Sequence, residues 1–176
     1  MNRSALRWLP IALVVGCSSG GAASDAGAPA EFIAYASSFD DFHSWSNAVA
    51  VGPNGTGDGL HVGPMQVYWN QSPPHGSTSF PVGTIIVKET TSINPPVVFS
   101  MVKRGGGFNS DNGGANGWEW FSLQDNGDGT VGVLWRGPVA EAGQTYANQP
   151  IGDCNGCHTQ SKNDCVWDLA LQFSNF

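Results

Sequence analysis

The chain has 176 residues and a formal net charge of −7, with 7 lysines and arginines against 14 aspartates and glutamates. This acidic balance excludes a broad nucleic-acid-binding surface, since the phosphate backbone attracts clustered positive charge. The length predicts one folded domain with short appendages, and the 24 glycines and 7 tryptophans favour a turn-rich domain with an aromatic core.

Residues 1–17 have the pattern of an export signal. Two arginines precede an apolar run over residues 9–15, which is too short to cross a bilayer as a permanent helix. The run ends in Val-Val-Gly-Cys, which resembles a bacterial lipobox, so we expect Cys17 to be lipidated and to become the mature N-terminus. Several acyl chains on one cysteine would anchor the protein to a membrane. The alternative is an ordinary secretory peptide in which this cysteine has no role.

The predicted location is the periplasmic side of the outer membrane. Ser18 stands where an aspartate often retains lipoproteins in the inner membrane. Residues 18–30 are of low complexity and predict a flexible linker between the lipid and the domain. The folded domain is therefore expected over residues 31–176.

The first part of the domain is predicted to be helical. Aromatic residues recur at intervals of three and four over residues 31–47, with Ser38 and Asp40 as candidate N-caps. The glycine-rich run over residues 54–59 predicts an irregular loop.

The middle of the domain is predicted to be an antiparallel sheet. Closely spaced β-rich runs separated by Gly and Pro turns favour this arrangement over βαβ units. The runs are residues 65–69, 84–89, 97–103, 118–123 and 130–135.

The last two runs are joined by Asp-Asn-Gly-Asp-Gly at residues 125–129. This joint resembles part of a calcium loop, but Gly127 occupies a ligand position and the distal glutamate is missing. The prediction is therefore a hairpin turn.

Residues 154–158 read Cys-Asn-Gly-Cys-His, the spacing of a c-type haem attachment site. Each thiol can form a thioether with one haem vinyl group, and the imidazole of His158 would then lie under the iron. A redox Cys-x-x-Cys would need a thioredoxin-like βαβ setting, which the pattern does not contain. A zinc site would need more cysteines or histidines at ligand spacing, and a disulfide across so short a loop would be strained.

We therefore predict one covalent haem c held by Cys154 and Cys157, with His158 as the axial ligand of the iron. The fold class is mainly β (α+β), an antiparallel β-sheet domain with a few short helices and a C-terminal covalent haem c site. The tail over residues 164–173 is expected to pack as a short helix or strand over the haem edge. The remaining thiol, Cys165, is expected to be buried and inert.

Three segments together resemble the cytochrome P-460 family, which also includes the cytochromes c′-beta. They are Phe-Pro-Val-Gly-Thr-Ile-Ile-Val-Lys-Glu at residues 80–89, Gly-Trp-Glu-Trp-Phe at 117–121, and the Cys-x-x-Cys-His motif with Asp-Cys-Val-Trp at 164–167. The specific combination is Gly-Thr-x-x-x-Lys-Glu with the downstream haem motif. The similarity extends over residues 42–167, most of the domain.

The resemblance implies a five-coordinate haem with His158 as the proximal ligand and an open distal side. In the P-460 enzymes a lysine at the place of Lys88 is bonded covalently to the porphyrin, and these enzymes oxidise hydroxylamine. In the cytochromes c′-beta that crosslink is absent and the expected role is to bind nitric oxide or similar gases. The family also implies a small external electron acceptor and a homodimer formed through sheet faces.

The position of Lys88 has two interpretations. Strand alternation places Ile86 and Lys88 on one face of the sheet, and Ile85, Val87 and Glu89 on the other. From the residues alone, Lys88 would end its strand in solvent. The resemblance instead places it beside the haem, where loss of its proton would make it a nucleophile.

Oxidation of hydroxylamine releases protons with the electrons, so catalysis requires a proton acceptor. The candidates are Glu119 on the tryptophan-rich strand and Glu141 upstream of the haem motif. The alternative for each is a solvated surface carboxylate. His43, His61 and His75 could each serve as a distal ligand or base, but their positions near loops favour surface histidines.

Three functions remain open from the sequence. The first is an enzyme that oxidises hydroxylamine or otherwise processes nitrogen oxides. The second is a protein that binds nitric oxide or a similar gas without turnover. The third, an electron carrier, is disfavoured because no methionine or histidine is convincingly placed as a second axial ligand.

Overall fold

The structure is a computed structural model that describes residues 30–50, 64–92, 94–111, 114–138, 145–146, 149–150 and 154–176. Cys17, His61 and Glu141 lie outside these residues, as do the predicted signal, nearly all of the predicted linker and the loop over residues 54–59. Within the described part of the chain, no helix is long and apolar enough to span a bilayer.

Six strands form one antiparallel sheet in the order of the chain, so the protein is mainly β, as predicted. The β-rich runs are confirmed as strands β2 to β6, with bounds within two residues of those expected. Valine, isoleucine and aromatic residues dominate these strands because their side chains fit a pleated, half-buried surface. The strands are β1 (Ser46–Ala50), β2 (Met65–Trp69), β3 (Ile85–Thr90), β4 (Val98–Lys103), β5 (Trp118–Asp125) and β6 (Val131–Gly137).

The remaining elements are short. Strands β7 (Thr145–Tyr146) and β8 (Gln149–Pro150) pair with each other, and helix α1 spans Cys154–His158. The 3-10 helices are Ala36–Phe39, Phe42–Ser44, Leu169–Leu171 and Phe173–Asn175.

The prediction of one helical segment over residues 31–47 is wrong in detail. Two 3-10 turns satisfy the aromatic spacing, and β1 begins at Ser46. Neither Ser38 nor Asp40 is an N-cap. The N-cap of the turn Ala36–Phe39 is Tyr35, and that of the turn Phe42–Ser44 is Asp41. Asp41 has a φ of 54°, a left-handed conformation that interrupts a continuous helix.

The two faces of the sheet carry separate apolar cores, because side chains alternate along each strand. The first, called here the N-terminal face, is covered by the 3-10 turns near residue 40 and consists of Ala34, Phe39, Phe42, Ile85, Val87, Val98, Val102, Phe121, Leu123 and Val131. The second, the C-terminal face, is covered by the chain after residue 154 and consists of Val67, Phe80, Ile86, Met101, Ala115, Trp118, Trp120, Cys165, Val166 and Leu171. The sheet thus separates two different surroundings.

The hairpin turn predicted between the last two strands is confirmed between β5 and β6. Gly129 in this turn has a φ of +88°, and a Cβ there would lie 2.5 Å from Oδ1 of Asp41. The backbone N–H of Asp41 donates to the carbonyl of Gly129 at 2.8 Å. The hairpin is therefore tied to the turn that covers the N-terminal face, and glycine is needed at the point of contact.

Candidate functional site

The Cys-x-x-Cys-His motif forms helix α1, which packs on the C-terminal face. Its thiols are not joined by a disulfide to each other or to Cys165. Cys154 is half-buried and packs against the core of this face, while Cys157 is exposed. One helical turn thus carries both thiols and ends at His158.

A buried amide network fixes α1 to the sheet. Asn155, only 2% exposed, accepts a hydrogen bond from Nε1 of Trp120 at 2.8 Å. Its amide also exchanges two hydrogen bonds with the amide of Asn109, at 2.8 and 2.9 Å. Asn109 in turn donates to the carbonyl of Trp118. Sequence reasoning missed this network, because it joins residues far apart in the chain.

Asp164 fixes the segment after the helix. One carboxylate oxygen is 2.7 Å from Nζ of Lys103 on β4, and the other accepts the backbone N–H of Phe80 at 2.8 Å. Asp164 and Cys165 have φ values of 49° and 66°, so the chain turns sharply here. The ion pair and the turn together direct the carbonyl of Cys165 towards α1.

The His158 ring is oriented by that carbonyl. Nδ1 lies 2.7 Å from the oxygen of Cys165, and because a carbonyl can only accept, Nδ1 must donate. In the neutral ring the lone pair is then on Nε2, the arrangement common in metal-binding histidines. The ring packs 4.7 Å from that of Trp120.

Burial lowers the pKa of His158 from its ordinary 6.5 to about 4. The hydrogen bond to Cys165 works in the opposite direction, and the charge of nearby Lys88 adds to the lowering. The imidazole is therefore neutral at pH 7, the form that can coordinate a metal.

Lys88 lies on the C-terminal face, within electrostatic reach of His158. It sits between Val67 of β2 and Phe99 of β4, and its side chain is 18% exposed. The alternation predicted for β3 is confirmed, since Ile86 belongs to this core. The side chain is thus mostly buried beside the motif instead of ending in solvent.

Asp168 is a site residue that sequence reasoning missed. Its side chain is fully buried, and its Oδ2 lies 3.5 Å from Nζ of Lys88. Oδ1 accepts the N–H of Ala170, but Oδ2 has no hydrogen-bond partner among the described residues. A buried carboxylate oxygen without a hydrogen bond is costly, and the Lys88 ammonium is the charge that compensates it here, so Asp168 joins the candidate site residues. The one signal in the sequence was its location in the tail expected to cover the haem edge.

The structure does not bring Glu119 to this site. It lies on the N-terminal face, where Nε and Nη2 of Arg136 donate to its two oxygens at 2.8 Å each. Arg104 is 3.6 Å from the same carboxylate. The expectation of a solvated surface carboxylate is also wrong, because Glu119 is 3% exposed and paired with these two arginines.

The other predicted residues fall elsewhere. His75 is exposed in a turn after Pro74, and His43 lies on the N-terminal face, 2.9 Å from Glu89. Cys165 is buried, as expected, and burial raises the pKa of its thiol. The site is therefore the group formed by α1, Lys88 and Asp168.

Half-buried tryptophans lie on the same face of the sheet. Trp69 and Trp135 pack against the core of the C-terminal face together with Cys154. Trp118 is fully buried in it, as expected for a core residue. An apolar aromatic surface of this kind can exclude water from a flat ligand.

No protein-family model, curated protein or solved structure matches this chain significantly. The residues of the site themselves therefore indicate its chemistry. It combines two thiols, a neutral imidazole with a fixed tautomer and a buried lysine–aspartate pair.

Proposed function

We propose that this domain is a c-type haem protein of the cytochrome P-460 type, with the haem covalently held by Cys154 and Cys157 and His158 as the axial ligand. The observation that carries the proposal is the orientation of His158. His158 lies on the same short helix as both thiols, and its Nδ1 donates a hydrogen bond to the carbonyl of Cys165.

The residues present fit a haem on three counts. The thiols are on one helical turn and not in disulfides, so both are of the chemical form that adds to vinyl groups. The imidazole is neutral and its tautomer leaves the lone pair on Nε2. The surrounding side chains are aromatic and apolar, which suits a porphyrin ring.

When bound, the haem would supply an iron centre that takes up a small nitrogen compound and removes electrons from it. The chain itself would orient His158, exclude water with tryptophan side chains and place the Lys88 amino group beside the porphyrin, where loss of its proton would allow it to be bonded to the haem. Asp168 would be the proton acceptor, since it is the buried carboxylate next to Lys88. It replaces Glu119 in that role.

The proposed reaction is the oxidation of hydroxylamine, or related processing of nitrogen oxides, with electrons passed to a small external acceptor. The observation that favours this over simple gas binding is the Lys88–Asp168 pair. Oxidation of hydroxylamine requires a proton acceptor, which the buried Asp168 carboxylate of this pair can supply, whereas gas binding without turnover requires none. Binding of nitric oxide without turnover remains the second candidate, favoured by the apolar aromatic surroundings.

The proposal includes export and attachment to the outer membrane through a lipid on Cys17, with the domain facing the periplasm. It also includes a homodimer, as the family resemblance implies. Haem attachment would then take place on the exported side, where the maturation system acts.

The test is to express the full chain in a host that exports proteins and attaches haem c. The purified protein is then reduced, its absorption spectrum recorded, and its peptides mapped for a haem bonded to Lys88. Turnover of hydroxylamine is measured for the wild type, for Lys88→Met and for the control Lys162→Met, which changes an exposed lysine.

Each result decides between the candidates. A strongly red-shifted ferrous Soret band, a haem–Lys88 peptide and turnover lost only in Lys88→Met would support the enzyme. An ordinary high-spin spectrum with unmodified Lys88 and no turnover would favour gas binding. A low-spin, six-coordinate spectrum would contradict both, and absence of haem would overturn the proposal.

A further inference from the structure

We propose that His43, Glu89 and Asp125 form a binding site for one divalent first-row transition cation, with Zn²⁺ as the reference ion, on the N-terminal face of the sheet. This site is separate from the haem motif and does not depend on it. Glu89 follows Lys88 on β3, but the two side chains point to opposite faces.

The geometry fits one ion. The ligand atoms of the three residues lie within 4.8 Å of one another, and Nε2 of His43 is 2.9 Å from Oε2 of Glu89. Two donors on one tetrahedral zinc ion lie about 3.4 Å apart, given bonds of about 2.1 Å. Small movements of the side chains would therefore place all three donors around a cation.

The fold holds the three residues in place from three separate elements. Glu89 is on β3, Asp125 ends β5, and His43 is on the 3-10 turn Phe42–Ser44. That turn is anchored by Phe42, which is 1% exposed and packs 3.9 Å from the His43 ring. It is also tied to the β5–β6 hairpin by the hydrogen bond from Asp41 to Gly129, which brings His43 next to Asp125.

The charges at this point are unbalanced. Glu89 is 9% exposed, and among the described residues its ion-pair partner is His43. The cations Lys88, Lys103, Arg104 and Arg136 are paired with other carboxylates. A buried carboxylate next to a second one is costly unless a positive charge compensates it.

Tyr68 lies beside the same carboxylates. Its hydroxyl donates to Oε2 of Glu89 at 3.5 Å. A cation bound between the carboxylates would leave this hydrogen bond in place. Tyr68 would then serve as a second-layer donor that orients Glu89.

The donor set selects the class of ion. One imidazole nitrogen with two carboxylates suits zinc, iron, manganese or cobalt, whereas calcium and magnesium prefer oxygen donors alone. The His43 side chain is 45% exposed, so the site opens to solvent. Water would complete the coordination, as in zinc sites with three protein ligands.

The experiment uses titration calorimetry to measure zinc binding to the haem-loaded full chain. The protein carries no affinity tag. The same titration is done on Cys154→Ser/Cys157→Ser, because the motif thiols themselves bind zinc when they carry no haem. His43→Gln and Asp125→Asn remove single ligands. The matched controls are His75→Gln, an exposed histidine, and Asp128→Asn, an acid of the same hairpin that hydrogen-bonds Thr130.

We expect one zinc ion per chain in both backgrounds. Each ligand substitution should weaken binding at least about tenfold, while the controls stay within about twofold of the parent protein. Circular dichroism of His43→Gln checks the fold, which should be retained because that side chain is half exposed. Zinc should also raise the unfolding temperature of the parent, but not of His43→Gln.

Three results would overturn the proposal. The first is no saturable zinc binding to a folded Cys154→Ser/Cys157→Ser variant. The second is zinc binding that His43→Gln leaves unchanged. The third is calcium binding to His43→Gln that is as tight as zinc binding to the parent, because the site would then not be a transition-metal site.

Discussion

The two faces of the sheet place charged residues in opposite ways. On the C-terminal face, Lys88 and Asp168 meet in a buried pair beside His158. On the N-terminal face, Glu89 meets His43 at an edge that is open to solvent. Lys88 and Glu89 are consecutive on β3, so their side chains lie on opposite faces of the sheet, one closed and one open to solvent.

This difference teaches how a small sheet can hold two kinds of chemistry. The closed face keeps water out, fixes a tautomer and maintains a neutral imidazole, which suits a large covalent cofactor. The open face presents a histidine and two carboxylates on rigid elements, which suits an ion that exchanges with solvent. If the two faces act independently, a substitution on one face should leave the chemistry of the other unchanged.

The largest effect is expected from Lys88→Met. It would leave Asp168 buried without its cation, and we expect the free energy of unfolding to fall by about 3 kcal/mol at pH 7. Chemical denaturation measures this. Adding Asp168→Asn should recover part of the loss, whereas Lys162→Met, on the surface, should change stability by less than about 0.5 kcal/mol. No recovery in the double variant would show that the pair is not coupled.

Asn155→Ala should be nearly as damaging. It removes the acceptor for Trp120 and the partner of Asn109, so buried polar groups lose their hydrogen bonds at a cost of about 2–3 kcal/mol. Urea unfolding measures the loss. Gln160→Ala is the control, since its amide bonds Gly156 at the surface. Equal stability of the two variants would contradict the anchoring role of Asn155.

Glu119→Gln probes the N-terminal face. It removes the charge that Arg136 and Arg104 contact, and we expect the free energy of unfolding to fall by about 2 kcal/mol. Haem content, absorption spectrum and any turnover should stay unchanged, because Glu119 lies across the sheet from His158. A large fall in turnover at unchanged haem content would return Glu119 to the list of catalytic candidates.

The smallest effect is a pH dependence in the haem-free variant Cys154→Ser/Cys157→Ser. The pKa of His158 is lowered to about 4 from 6.5, so the unfolded chain takes up a proton first as the pH falls. The contribution of His158 to the free energy of unfolding should be fully present above pH 6.5. It should fall by on the order of 1–2 kcal/mol between pH 6.5 and 4, because His158 is only partly buried and solvent screens part of the shift. Adding His158→Gln should remove this component; if the pH profile is unchanged, the assignment to His158 is wrong.

The strands β2 to β6 could be predicted because Val, Ile and aromatic residues dominate them and glycine or proline separates them. Strand β1 could not, since Ser46–Ala50 contains one β-branched residue among small ones, and only its pairing with β2 makes it a strand. Alternation along β5 places Glu119 and Trp120 on opposite faces, but the sequence does not tell which face α1 covers.

The Cys-x-x-Cys-His motif is visible in the sequence because its spacing is local. Lys88 is placed beside it by the family resemblance alone, since the residues by themselves predict a lysine that ends its strand in solvent. Asp168 and the Asn109–Asn155 pair are not visible, since their partners lie far away in the chain. The cluster of His43, Glu89 and Asp125 is hidden for the same reason: three elements contribute one ligand each.

The most direct test of the account is the intact mass of the denatured protein, after expression in a host that attaches haem to a control cytochrome c. We predict an increase by one haem in the wild type and in Cys165→Ser, and none in Cys154→Ser/Cys157→Ser. A wild-type chain with the same mass as Cys154→Ser/Cys157→Ser, apart from the two sulfur-to-oxygen changes, from a host whose control cytochrome is fully loaded, would contradict the assignment of the C-terminal face as a haem site.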